Sequence, residues 1–156
     1  MKGLKTLALL VLLTVQGNVL AGWDEGVAAY DSGDYATALK EFRPLAEQGE
    51  ASAQGNLGVM YAKGQGVTQD YKEAVKWYRK AAEQGDATAQ KNLGKMYYDG
   101  KGVPPNYLKA HMWFNLAGAA GNDKAVKHRD IVAEKMTPAQ IAEAQKLARE
   151  WVQKHP

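Results

Sequence analysis

Laid over one another without a gap, Gly49 to Gln84 and Gly85 to Ala120 agree at 16 of 36 positions. A chain that repeats itself at such a period is confined to stacked units, because one short unit cannot bury its own apolar face and must cover it with a neighbour. Gly49, Gly85 and Gly121 mark the period. Upstream, Tyr35, Ala38, Phe42 and Ala46 stand one period before Tyr71, Ala74, Tyr78 and Ala82, so a further copy precedes. Downstream, Gly121 and Ala125 open a fourth copy that soon diverges.

Each unit reads as helix, loop, helix. Ala53, Leu57, Met60 and Tyr61 recur at helical spacing, Gly64-Gln65-Gly66 interrupts, and Tyr71, Ala74, Val75, Tyr78 and Ala81 resume the pattern. Gly64 and Gly100 suit the left-handed position that ends a first helix, and Asp70 and Asn106 stand where the second wants an N-cap. Gly49, Gly85 and Gly121 end each second helix, with Glu50, Asp86 and Asn122 near the start of the next. No alternating apolar run suggests a strand, and isoleucine occurs only at Ile131 and Ile141. Gly58 and Gly94 fall inside first helices, where Gly costs about 1 kcal/mol relative to Ala. Close approach to Ala74, Ala81, Ala110 and Ala117 on the second helices is the expected compensation.

Both ends of the chain depart from the repeat. Residues 1–21 combine the basic start Met1-Lys2-Gly3-Leu4-Lys5, an apolar run from Thr6 to Val15, and Val19-Leu20-Ala21 before Gly22. This is the three-part pattern of a cleavable export signal, and the run is about half of the ~20 residues a membrane-spanning helix needs. The expectation is cleavage after Ala21 and a periplasmic or secreted product with no stable membrane anchor. At the other end, Thr137-Pro138-Ala139-Gln140 forms a capping box with Pro at the first helical position. A helix from Pro138 to about Gln153 should follow, with Ile141, Ala144, Leu147, Ala148 and Trp151 on one stripe. One apolar and one polar face describe a cap for an open solenoid end. The resulting organisation is a leader over 1–21, repeats over 22–136 (units about 22–48, 49–84, 85–120 and a partial 121–136), and a capping helix over 137–156.

Composition then narrows the function. Loss of Lys2 and Lys5 with the leader takes the balance from 20 basic and 17 acidic residues to 18 and 17. A near-neutral chain without a Lys/Arg cluster offers no electrostatic case for nucleic acid or for an anionic membrane. Cysteine is absent, which removes disulfides, thiol nucleophiles and Cys-type zinc sites, so stability outside the cytoplasm rests on packing.

The run Ala-x-Ala-Gln-x-Asn-Leu-Gly-x-Met-Tyr-x-x-Gly-x-Gly-Val, present twice and followed by Tyr-x-x-Ala-x-x-Trp, resembles the Sel1-like repeat, a relative of the tetratricopeptide repeat with a longer loop between its helices. The resemblance covers residues 49 to 120 in full. Gly33-Asp34-Tyr35 through Gly49 is similar to an ordinary tetratricopeptide unit with a shorter loop. It implies an all-α fold, a right-handed α-solenoid whose concave groove binds proteins or peptides. Two departures stand out. Glu41 replaces the Trp found at Trp77 and Trp113, and the one disulfide per repeat of the family's cysteine-rich secreted branch is ruled out here. That branch has been linked to β-lactam or cell-wall binding and hydrolysis, so weak hydrolase-like activity is the alternative to a non-catalytic interaction module.

Residues for chemistry are scarce. His111, His128 and His155 lie on different elements without metal-ligand spacing, and read as surface or interface histidines. Ser32 and Ser52, the only serines, are not in nucleophile motifs. The Gly64-x-Gly66 and Gly100-x-Gly102 pairs lack the third Gly and the preceding strand of a phosphate loop. Trp77-Tyr78 and Trp113-Phe114 recur at the repeat period, as inter-repeat core does. The reading is therefore a monomeric interaction module that needs no cofactor and no metal. Registering the first helices on the tetratricopeptide pattern places Ser52, Gly55, Val59, Ala62 and Lys63 on the groove face, then Thr88, Lys91, Lys95, Tyr98 and Asp99, then Lys124 and Lys127. Asp24 and Asp31 belong to the first unit, so the groove should run from acidic to basic. Lys91, Lys95 and Tyr98 share one helical face, suited to an acidic extended segment of a protein or peptide partner.

Overall fold

The computed structural model describes residues 21–156, and nearly all of the expected leader lies outside them. Among the described residues there is no strand. The helices are α1 over 21–32, α2 Tyr35–Glu47, α3 Ala51–Lys63, α4 Tyr71–Glu83, α5 Ala87–Asp99, α6 Tyr107–Ala119, α7 Asp123–Ala133 and α8 Pro138–Lys154. The helix pairs expected from the repeat are present, and their caps are where the sequence puts them. Asp70 accepts from the backbone N–H groups of Lys72 and Glu73, Asn106 from that of Lys109, and Gly64 and Gly100 close α3 and α5 in the left-handed conformation at φ 67°. The Thr137–Gln140 capping box opens α8 with both of its hydrogen bonds made.

One device ties each unit to the one before. Gln54 on α3 donates through Nε2 to the Ala46 carbonyl at the end of α2 (3.0 Å), and Gln90 on α5 repeats the bond to Ala82 at the end of α4 (3.1 Å). Both glutamines are buried. Each adds a side-chain donor to a helix-end carbonyl that otherwise accepts only from backbone N–H groups of the turn, among them those of Gly49 and Gly85, so the Ala-Gln pair of the motif is a splice between units. Arg43 reaches the Tyr61 hydroxyl and Arg79 the Tyr97 hydroxyl, each at 3.1 Å, as a second splice of the same period.

The helical glycines serve the core differently from the sequence expectation. A β-carbon on Gly94 would come within 2.8 Å of the Phe114 ring, and one on Gly58 would run into the Tyr78 ring. Gly26 faces Phe42 in the same manner, at 2.6 Å. The compensation is thus an aromatic ring laid over a bare helix backbone in three successive units. The alanines named from sequence are buried nearby, and at Gly94 the expected approach to Ala110 is also present, its backbone oxygen 3.2 Å from the same position, with the ring nearer still. Trp77 and Trp113 are buried with these rings, as inter-repeat core should be.

The last helix packs on α6 and has little contact with α7. Ala144 and Ala148 are buried, Ile141, Leu147 and Trp151 are half-buried, and the Trp151 and Trp113 rings meet edge to face at 6.0 Å. This explains a change of character on the outer side of the second helices. Arg79, Lys80 and Glu83 on α4 become Asn115, Leu116 and Ala119 on α6, where α8 lies alongside.

Candidate functional site

The first helices of neighbouring units barely touch one another. Between α3 and α5 this leaves an open groove of about 460 Å³, lined by Val59, Ala62 and Lys63 from α3, Thr88, Lys91, Asn92, Lys95, Met96 and Asp99 from α5, Tyr71 and Tyr78 from α4, and Lys101 from the loop after α5. Tyr78, the ring that lies over Gly58, forms part of the floor, and burial pushes its phenol well above the usual tyrosine range. The groove is therefore built by the same ring-on-glycine contact that holds α3 to α4.

Its charge is strongly one-sided. Four lysines and one aspartate line it. Lys95 pairs with Asp99 at 2.9 Å, one helical turn away. Among the described residues no carboxylate lies within 4.0 Å of Lys63, Lys91 or Lys101. Burial, and then the charge of Lys124 nearby, hold the Lys91 ammonium below the usual lysine range. The Lys101 ammonium lies 5.3 Å from the centre of the Tyr71 ring, at a distance where the ring face attracts a cation. The groove thus combines an apolar floor with cationic walls whose charge is largely uncompensated.

Of the residues that the sequence put on the groove face, Val59, Ala62, Lys63, Thr88, Lys91, Lys95 and Asp99 come together here. Ser52 is exposed on α3 outside this groove, and Lys124 and Lys127 are exposed on α7, with Lys124 close enough for its charge to reach Lys91. Tyr98 turns away from Lys91 and Lys95. Its ring lies 5.6 Å from that of Tyr107, with the Lys135 ammonium 5.2 Å from its centre. Asp24 and Asp31 are exposed on α1. Tyr71, Tyr78, Asn92, Met96 and Lys101 lie outside the sequence register, which is drawn on the first helices alone and does not reach α4, the loop after α5 or the edge of α5.

Of the histidines, only His111 departs from the expected surface or interface position. His128 and His155 donate through Nδ1 to the backbone carbonyls of Lys124 and Trp151 on their own helices, but His111 is buried at 2% exposure with Nδ1 unpartnered. It stands where Val75 stands one unit earlier, which is a core position. Among the described residues no group of three His, Cys, Asp or Glu side chains is placed to hold a metal ion, and no helix is long and apolar enough to cross a membrane.

Stacked helix pairs with a groove between their first helices define the class, a helical-repeat solenoid. Within that class, residues 51–86 and 87–122 each match the Sel1 repeat, so the chain carries two of these repeats in tandem. It is similar to a solved protective antigen present in uropathogenic Escherichia coli strains that displays the SLR fold, with 34% identity and a TM-score of 0.84 over 91% of this chain and 31% of that one. It is also similar to a Sel1 repeat protein from Oxalobacter formigenes, with 36% identity and a TM-score of 0.63 over 69% of this chain and 41% of that one. The chain thus spans less than half the length of either. No curated protein matches it.

Proposed function

We propose that this protein is an exported, non-catalytic interaction module whose α3–α5 groove holds an acidic, extended segment of a partner protein, as an adaptor in the cell envelope or in host contact. The observation that carries the reading is the set of lysines with no carboxylate partner around an apolar floor. Uncompensated cations on a concave surface cost the fold little while water reaches them, and they become charge-assisted donors when carboxylates arrive. Sel1 repeats typically mediate protein interactions, which agrees with this groove. Export rests on the leader pattern of residues 1–21.

A photo-crosslinking amino acid placed at Thr88, on the groove wall, and separately at Lys146, on the exposed side of α8, tests this in cells that export the protein. The expected result is a discrete adduct from position 88 and none from position 146, in a periplasmic or secreted fraction, with N-terminal sequencing starting at Gly22. Full-length protein retained in the membrane fraction would refute export. Equal, diffuse labelling from both positions would refute the groove.

A further inference from the structure

One period beyond the α3–α5 groove, its lining residues change in kind. Tyr71, Lys95, Ala62 and Asp99 are followed 36 residues later by Tyr107, Ile131, Tyr98 and Lys135. Tyr107 is 39% exposed and Ile131 49%, and with Val152 they are the exposed large apolar residues of the described fold. A single exposed apolar side chain is ordinary. Here two of them occupy, one period on, the positions of groove-lining residues at a single step, Tyr107 beside the Tyr98 ring, and lysines stand at neighbouring positions of the same period. Lys135 lies 5.2 Å from the centre of Tyr98 and 5.8 Å from that of Tyr107. Lys124 and Lys127 follow Thr88 and Lys91 by the same period on α7. Among the described residues none of these three lysines has a carboxylate within 4.0 Å. An apolar centre with a charged rim is the make-up of a protein interface.

We propose that the α5–α7 step is an apolar anchoring subsite of the same groove, and that its occupant is a bulky aliphatic or aromatic side chain carried by the acidic, extended segment of a partner protein. This rests on the groove reading above and adds what the segment must contain. Charge complementarity selects the occupant: the lysine rim repels a basic segment, while a neutral apolar segment would leave the lysines without partners. The helix spacing sets the register. The two steps share α5, so they are offset by one helix diameter, ~10 Å, and with an extended chain advancing about 3.3 Å per residue the carboxylates and the apolar anchor should stand about three positions apart.

The test titrates the full chain with four fluorescein-labelled peptides of equal length on a Ser-Gly background. One carries two adjacent Glu and then Leu at the third position beyond, one carries the reverse order, one the Glu pair alone and one the Leu alone. One of the two combined peptides should bind about ten-fold more tightly than the Glu pair alone, as expected when one aliphatic side chain leaves water. Ile131→Ser should abolish that gain and leave both the Glu-pair affinity and the melting temperature unchanged. Equal binding of the Glu-pair and combined peptides, or a gain that survives both Ile131→Ser and Tyr107→Ser, would overturn the subsite and leave the acidic groove standing. No binding by any peptide, or Glu-pair binding unchanged in Lys91→Glu, would overturn the groove reading and the subsite with it.

Discussion

Gln84 donates through Nε2 to Oε1 of Gln54 at 2.9 Å, and one repeat later the same place holds Ala120 and a Gln90 whose Oε1 has no partner. Gln84 also reaches the Gly49 carbonyl at 2.9 Å. The splice between units is therefore complete between α2 and α3 and one donor short between α4 and α5. A buried acceptor left without a donor costs about 1 to 3 kcal/mol, and a completed hydrogen bond contributes about 1. Ala120→Gln should accordingly stabilise the protein by about 1 kcal/mol, and Gln84→Ala should destabilise it by at least as much. Urea melts of the two variants check both signs.

Two glycines on one helix should respond to the same substitution in opposite directions. Gly55 has nothing within 4 Å of where a β-carbon would sit, while Gly58 lies against the Tyr78 ring. Gly55→Ala should stabilise α3 by about 0.5 to 1 kcal/mol through helix propensity alone. Gly58→Ala gains the same term and loses about 1 to 3 kcal/mol to overpacking, so its net effect is destabilising. Thermal melts of both variants decide this, and a Gly58→Ala protein as stable as Gly55→Ala would show that the ring shifts freely.

This contrast shows where the sequence stops being informative. Repeat period, helix caps and the buried Trp positions are all legible, because each depends on residues near in sequence or on the period itself. The partner of Gly58 lies 20 positions away on another helix, and periodicity alone does not distinguish a ring from a methyl group there. The groove divides in the same way. Lys91 and Lys95 follow from one helical face, whereas Tyr71 enters from α4 and Lys101 from the loop after α5. Tyr98 is on the expected helix, but at the edge of the face, and Tyr107 and Lys135 draw it to the neighbouring step.

His111 gives the stability a pH dependence of known sign. Burial, and then the nearby Arg129 charge, hold its pKa below the ordinary 6.5, against an opposing pull from Asp130. The unfolded chain therefore takes up the proton first as pH falls. The contribution of neutral His111 is fully present above 6.5 and is lost progressively as pH drops from there toward the folded-state value. Urea melts between about pH 7.5 and about pH 5.5 should show falling stability, and His111→Val, which restores the residue type of Val75, should flatten that slope. An equal slope in the variant would place the effect elsewhere.

The covering of α6 by α8 predicts the result of a truncation. Ending the chain after Met136 exposes Leu116 and Trp113, which are 5% and 7% exposed in the full chain. The shortened protein should melt far lower or self-associate, and sedimentation alongside a thermal melt reads both. Within the full chain, Trp113→Ala should cost about 3 to 5 kcal/mol, the range for a large aromatic removed from a packed interior. A stable monomer in either case would show that α8 covers nothing that matters to folding.

The central claim is that the lysine-lined concave groove is the binding surface, and reversing its charge tests that claim most directly. Lys91→Glu with Lys95→Glu, measured by surface-immobilised kinetics against the partner captured through position 88, should leave helicity and melting temperature nearly unchanged, since the exposed Lys95–Asp99 pair contributes little to folding. Affinity should fall, mainly through a slower association rate, and the difference from the parent should shrink as salt is raised. Binding by the double variant that matches the parent at low salt would contradict the account.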